Sequence, residues 1–157
     1  MPRLRRTPRI RHERGWRDDD ATHASLHDVG MRNELLAERT THSIIGAFYE
    51  VYNTLGYGFL EHVYVLALEL ELRARGHRVA REVGVTVRYK GTELAQQRMD
   101  MVVDDVVVVE VKATEVLPPT AKRQAINYLK GTRLQVGLIL HFGPEPGFHR
   151  AISTRKS

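Results

Sequence analysis

The segment DDVVVVEVKA, residues 104–113, constrains the fold more than any other part of the sequence. Its four consecutive valines end at Val109 and are typical of a strand that is buried on both faces. Glu110 and Lys112 follow at once, and side chains two residues apart on a strand share one face. Charged groups at the end of a buried strand need partners, so the rest of the chain has to supply them.

The hydrophobic pattern around this strand predicts a mixed α/β fold with some α+β character. Two stretches at helical spacing precede the strands, and the second is apolar nearly all round, which predicts a largely buried helix. The period then changes to the alternation of strands. The predicted order is ααβββαβ, a mixed central sheet flanked by helices. The helices are expected near 40–55, 59–75 and 118–130, the strands near 83–89, 93–103, 106–112 and 135–142, and a short final strand near 148–152.

The length of 157 residues suits one domain with a substantial core. Residues 1–36 have little apolar periodicity, so we expect a basic, disordered tail there and a folded domain over 37–157. Seven arginines and one acid lie in residues 1–17, so the net charge of +5 becomes −1 for residues 18–157. Overall charge therefore does not draw the folded body to nucleic acid.

The composition excludes several classes of protein. The absence of cysteine excludes disulfides, thiolate zinc sites and iron–sulfur clusters, and it fits a reducing compartment, so we expect a cytoplasmic location. No apolar run reaches the ~18 residues of a membrane span, so no membrane association is expected. The chain also lacks a Walker-type phosphate loop and a G-x-S-x-G nucleophile elbow.

Asp100, on the strand before the valine run, is the natural partner of Glu110 and Lys112 if the register allows it. A two-residue loop at 104–105 pairs Asp100 with Val109, which puts Asp100 and Glu110 on opposite faces. A three-residue loop brings Asp100, Glu110 and Lys112 to one face. The chemistry favours the three-residue loop, because the converging charges then make a usable site.

Two neighbouring carboxylates repel unless a cation lies between them. Mg²⁺ fits, because it prefers carboxylate oxygens and retains water and phosphate ligands. Lys112 would then position or deprotonate an attacking water, or neutralise developing charge. The alternative is that Glu110 and Lys112 form a structural pair at a strand end, while Asp100 only starts a turn.

The pattern Asp100…Glu110-Val111-Lys112 resembles the PD-(D/E)XK nuclease superfamily. The segment GFLEHVY, residues 58–64, resembles the G-x-x-E-x-x-Y signature of the GxxExxY protein family, a small bacterial group within that superfamily. The likeness continues through KGTELAQQRMDMVVDDVVVVEVKA, QAINYLK and VGLILHFG. It covers about residues 40–152 and implies a core of a helix, three strands, a helix and a strand.

The resemblance also implies roles for individual residues. Asp100 and Glu110 resemble metal ligands, Val111 would add its backbone carbonyl, and Lys112 resembles the catalytic lysine. Glu61 resembles a helical acid that adds a catalytic carboxylate to the metal site, directly or through water. Substrate contacts are implied for Gln124 and Tyr128, which match a QxxxY helix, and supporting roles are implied for Gly58 and Tyr64.

Simpler interpretations remain for several of these residues. Glu61 is also favourable at a helix N-terminus, Tyr64 also suits core packing, and Gly58 suits a sharp turn. Two positions depart from relatives, which often have histidine at the place of Ala121 and asparagine at the place of His141. Neither departure touches the acidic residues or the lysine.

The function implied is that of a Mg²⁺-dependent nuclease, with Mn²⁺ as a substitute, that hydrolyses phosphodiester bonds in nucleic acid, DNA before RNA. One alternative is a non-catalytic module on the same fold that binds nucleic acid or a protein. Another is a hydrolase of a different phosphate ester, because a near-neutral body of about 120 residues offers little surface for a duplex. A homodimer or a protein partner is a further expectation.

Overall fold

The structure is a computed structural model and describes residues 25–154. This part of the chain forms three helices and five strands. In chain order they are α1 (Leu26–Leu55), α2 (Glu61–Ala74), β1 (Val79–Tyr89), β2 (Thr92–Val103), β3 (Val107–Lys112), α3 (Ala121–Lys130), β4 (Val136–Phe142) and β5 (Pro146–Ile152).

The five strands make one mixed sheet in the order β1-β2-β3-β4-β5. Neighbouring strands are antiparallel except β3 and β4, which are parallel and joined through α3. The order predicted from the sequence is confirmed, and the short final strand is present as β5. None of the helices within residues 25–154 has the length and apolarity needed to cross a bilayer.

The first helix is longer than the sequence predicts. It begins at Leu26, so the expectation of a disordered tail is wrong for residues 26–36, while the arginine-rich residues 1–24 lie outside the described part of the chain. Ser25 caps the helix by accepting a hydrogen bond from the Asp28 N–H at 3.2 Å. Residues 26–36 are exposed, which explains why no apolar periodicity marks them in the sequence.

The helices cover the two faces of the sheet. On one face α1 and α2 pack against the odd-numbered side chains of β3, and on the other α3 packs against Val108. The valine run is therefore buried from both sides, as expected. The second helix is less buried than predicted, since Leu66 and Leu70 are exposed, with 72% of Leu70 accessible. Only one side of α2 meets the core, through Tyr64, Val65, Leu68 and Leu72.

The turn between β2 and β3 has the three-residue loop that the chemistry favours. Val103 pairs with Val107, and Asp104 and Asp105 both have positive φ, 52° and 57°. Positive φ at two central residues is the requirement of a type I′ turn, and the Val106 N–H donates to the Val103 carbonyl at 3.1 Å. Val106 is an extra residue without a ladder partner, which shifts the register by one.

Asp104 fastens this turn to the rest of the fold. Its carboxylate lies 2.6 Å from His77 Nδ1 and accepts hydrogen bonds from the Arg78 N–H at 2.9 Å and the Thr40 hydroxyl at 3.3 Å. His77 Nε2 lies 2.6 Å from the Ser43 hydroxyl on α1. The turn, the segment before β1 and α1 are thus joined through one largely buried carboxylate.

We predict that Asp104→Asn lowers the free energy of unfolding by about 2 kcal/mol, because hydrogen bonds to a charged group are lost. Burial alone would raise the pKa of Asp104, but the hydrogen bonds from His77, Arg78 and Thr40 and the His77 charge outweigh it and lower the pKa. A lowered carboxyl pKa gives stability that is present above the unfolded pKa of about 3.9. That stability is lost as the pH falls through the folded value.

Urea unfolding at pH 7 and between pH 4 and pH 2 measures both effects. Asp105→Asn is the matched control, because it keeps the same turn preference at a side chain that is 78% accessible. Equal losses of stability in the two variants at pH 7 would contradict the anchoring role of Asp104.

Candidate active site

The site lies where β2 and β3 separate. The backbone ladder between them ends at the pair Met101–Val109, and the same register places Asp100 opposite Glu110. Here side chains replace the ladder. Asp100 Oδ2 accepts a hydrogen bond from the Val111 N–H at 2.7 Å, and Glu110 Oε1 accepts one from the Asp100 N–H at 3.3 Å. These reciprocal bonds hold the two carboxylates together in the gap.

An irregularity in β2 produces this gap. In a regular strand, residues two apart share a face, but Met101 packs on the α1–α2 side of the sheet and Met99 packs on the α3 side. The change occurs at Asp100. In β1, Glu82 lies across from it with a φ of 52°, between paired residues of the same ladder. Nothing in the alternation of the sequence indicates this break.

Glu110 is the most perturbed acid of the site. Only 6% of it is accessible, and this burial raises the pKa of its carboxyl group to about 8, with a further contribution from the charge of Asp100. The Asp100 N–H and the charge of Lys112 act in the opposite direction but do not outweigh burial. In the absence of a bound cation, Glu110 therefore carries a proton near neutral pH.

Glu61 reaches the same site from the opposite layer. It is the first residue of α2, and its carboxylate accepts a hydrogen bond from the Ala113 N–H, just beyond the end of β3. Partial burial of the carboxyl group and the charge of Asp100 raise its pKa, while Lys112 lowers it. The residue as a whole is exposed.

Lys112 and Tyr128 complete the group of titratable side chains that interact electrostatically at the site. Lys112 shares the face of Glu110, because the two residues are two apart on β3. Burial raises the pKa of Tyr128, and the charges of Glu110 and Asp100 raise it further. The Tyr128 hydroxyl thus remains a hydrogen-bond donor beside the acids. The side chain of Gln124, one turn earlier, is exposed and makes no hydrogen bond or ion pair within residues 25–154.

Gly58 and Tyr64 shape the turn that presents Glu61. Tyr64 is fully buried, and its hydroxyl donates to the Gly56 carbonyl at 2.5 Å and accepts from the Phe59 N–H at 3.2 Å. Gly58 has a φ of 111°, a backbone conformation that residues other than glycine rarely adopt. Both residues therefore act on the backbone just before Glu61.

His141 supports the loop that follows β3. It pairs with Lys112 in the parallel ladder, and its Nε2 donates to the Thr114 carbonyl at 2.7 Å. The Thr114 hydroxyl lies 3.2 Å from the same nitrogen. The Nε2 of His141 is thus satisfied by the loop, which gives this histidine a structural role.

The donor set fits a divalent cation that retains several waters. The second oxygen of Asp100 and that of Glu110 have no hydrogen-bond partner in the described part of the chain, so each is available as a ligand. No three His, Cys, Asp or Glu side chains within residues 25–154 are grouped closely enough to hold a metal by themselves. Two carboxylates with waters and a backbone carbonyl suit Mg²⁺, and Glu61 would act through water.

A sequence model of the PD-(D/E)XK nuclease superfamily matches residues 38–151. The chain belongs to this superfamily. Its five-stranded mixed sheet with flanking helices has the restriction-endonuclease-like α/β fold, and the sequence predicts this mixed sheet and its flanking helices. Hydrolysis of phosphodiester bonds is typical of nucleases of this superfamily. No curated protein sequence matches the chain.

A solved structure with some similarity is that of SSO0001, determined by crystallography. The two chains are 16% identical, and the match covers 61% of this chain and 52% of the other with a TM-score of 0.49. The match thus spans about half the length of that protein.

We predict that Glu110→Gln stabilises the metal-free protein at pH 8.5 by at least about 1 kcal/mol. A raised carboxyl pKa means that the cost of burying the charge is absent below the unfolded pKa of 4.5 and fully present above about 8. Glutamine removes this cost. Urea unfolding in EDTA at pH 5.5 and pH 8.5, with Glu115→Gln as an exposed control, measures it. Equal changes in the two variants at pH 8.5 would refute the assignment.

Proposed function

We propose that the protein is a metal-dependent nuclease that hydrolyses phosphodiester bonds, with DNA preferred over RNA. The observation that carries the proposal is the convergence of Asp100, Glu110 and Lys112 on one face, in a gap between two strands. Membership in the superfamily supplies independent support. The proton that Glu110 holds is a second support, because a buried acid of this kind is suited to exchange its proton for a cation.

Asp100 and Glu110 would hold Mg²⁺, or Mn²⁺ in its place, with the Val111 carbonyl as a further ligand. When bound, the ion supplies positive charge for the phosphoryl oxygens and a more acidic water. The reciprocal hydrogen bonds to the backbone fix the orientation of both carboxylates before any ligand arrives. Such preorganisation keeps the ligand geometry from depending on flexible side chains.

The remaining side chains would act on the substrate and the water. Lys112 orients the attacking water and neutralises charge that develops on the phosphate. Tyr128 donates a hydrogen bond to a phosphate oxygen, and the exposed Gln124 is free to contact the same strand. Glu61, bound to the Ala113 N–H, orders the waters on the far side of the site.

We further propose that the chain is a member of the bacterial GxxExxY family. Each fixed position of that signature has a separate task here: Gly58 adopts a positive φ, Glu61 faces the acids, and Tyr64 clamps the turn between them. The geometry thereby gives a physical reason for the seven-residue spacing. A cytoplasmic location is proposed with it.

A homodimer or a protein partner is also proposed. Exposed leucines on α2, Leu66 and Leu70, form an apolar strip that no other described element covers. A partner on this strip would enlarge the surface that is presented to nucleic acid, which a near-neutral single domain lacks.

We predict that the purified protein cleaves single- or double-stranded DNA in Mg²⁺ or Mn²⁺ and not in EDTA. Lys112→Ala should lower the rate at least about 100-fold, which is typical when a group that acts in the transition state is removed. Gel assays on DNA and RNA substrates measure this. Lys90→Ala, in the exposed turn between β1 and β2, is the control for loss of a positive charge.

Cleavage that survives Lys112→Ala would contradict the role assigned to the lysine. Absence of cleavage on every nucleic acid, with hydrolysis of a small phosphate ester instead, would replace the nuclease proposal by the phosphate-ester alternative. Binding of nucleic acid without any hydrolysis or metal dependence would favour a non-catalytic module.

We predict that Mn²⁺ binds more tightly at pH 8 than at pH 6. The proton of Glu110, whose pKa is about 8, must leave before the carboxylate becomes a ligand, so the affinity should fall by up to about tenfold per pH unit below that value. Calorimetry in two buffers of different ionisation enthalpy measures the proton released. Glu110→Gln should abolish the release, whereas an affinity that is equal at both pH values would rule out Glu110 as a ligand.

A further inference from the structure

A second group of polar side chains lies on the same face of the sheet as the acids. His149 in β5 pairs with Ile139 in β4, and Ile139 pairs with Glu110 in β3. Residues paired across strands share a face, and Ile139 packs against α3. His149 is therefore in the same row as Glu110, two strand spacings away, which is roughly 10 Å.

Lys122 lies close enough to His149 for its charge to act on the histidine. It is in the first turn of α3, which packs on β4 and β5 through Ala121 and Ala125. The first turn of α3 contains no acidic residue, although Lys122 and Arg123 are both there. Positive side chains at the N-terminus of a helix oppose the helix dipole, which favours negative charge at that end. The placement is unfavourable unless an anion binds nearby.

The electrostatic environment of His149 also favours a bound anion. Burial lowers the pKa of His149, and the positive charges of Lys122 and His141 lower it further. No carboxylate contributes to the shift. Within residues 25–154, neither Lys122 nor His149 takes part in an ion pair or a side-chain hydrogen bond, and the Nε2 of His141 is already bonded to Thr114. The positive charge of Lys122 thus has no ion-pair partner and the His149 ring has no hydrogen-bond partner among the described residues.

We propose that Lys122 and His149 bind a second backbone phosphate of the nucleic acid, close to the one that is cleaved. The inference rests on the proposed nuclease function and specifies its substrate as a polynucleotide. Along the face, Glu110 and the adjacent Asp100 are at one position, and His149 is at the other, where the charge of Lys122 also acts. A strand that places one phosphate at each position matches this arrangement, whereas an ester with a single phosphate fills only one.

Binding is tested without relying on cleavage. The affinity of a fluorescent single-stranded oligonucleotide is measured by anisotropy in Ca²⁺ over a range of salt concentrations. Lys122→Gln should weaken binding about fivefold and lower the slope of log affinity against log salt by about 0.7, the value for one lost phosphate contact on a single strand. His149→Gln should also weaken binding at pH 6. Arg32→Gln, in the exposed first part of α1, is the control.

An unchanged affinity in Lys122→Gln and His149→Gln, or an equal loss in Arg32→Gln, would overturn the inference. Circular dichroism melts of each variant confirm that the fold is retained, which exposed Lys122 is expected to permit.

Kinetics with two substrates separate this inference from the proposed function. In a cleaving protein, Lys122→Gln should raise the KM for an oligonucleotide about fivefold with little change in kcat. The same variant should act normally on thymidine 5′-p-nitrophenyl phosphate, which carries one phosphate. Equal effects on both substrates would overturn the second phosphate position. A protein that binds through Lys122 and His149 but never cleaves would overturn the nuclease proposal alone.

Discussion

Two reciprocal hydrogen bonds between side chains and backbone determine how this structure places its acids. Asp100 accepts from the Val111 N–H, and Glu110 accepts from the Asp100 N–H. They occupy the place where the ladder of β2 and β3 would otherwise continue. Backbone N–H groups left unpaired in this interior would be costly. The carboxylates accept hydrogen bonds from these groups, and the same gap between the strands leaves their other oxygens open to a ligand. Structural and chemical roles are combined in the same two side chains.

The two layers of the fold contribute different kinds of residue to the gap. The layer of α1 and α2 supplies Glu61, which is at the N-terminus of α2. The buried hydroxyl of Tyr64 holds the turn just before this helix. The layer of α3 supplies Tyr128 and, farther along the sheet, Lys122. Because β3 is buried from both sides, it cannot shift without disturbing both layers. A rigid strand therefore carries the groups whose positions matter most.

Much of this arrangement follows from the sequence, and the exceptions have physical causes. The valine run, the helix periods and the spacing of Asp100 from Glu110 predicted the element order and the three-residue loop. The first part of α1 is exposed, so its sequence has no apolar pattern from which a helix could be predicted. The exposure of α2 depends on which other elements pack against it. The break in β2 at Asp100 and the anchoring of Asp104 by His77 arise from contacts between residues far apart in the chain. The local pattern of apolar and polar residues does not predict such contacts.

The anchored turn at residues 104–106 has a consequence for the register of the sheet. Side chains along a strand alternate between faces, so a slip of one residue between β2 and β3 would turn Asp100 away from Glu110. Such a slip would also remove Asp104 from its contacts with His77, Arg78 and Thr40. The buried contacts of one turn residue therefore oppose a misaligned sheet and thereby protect the facing of an acid four residues away.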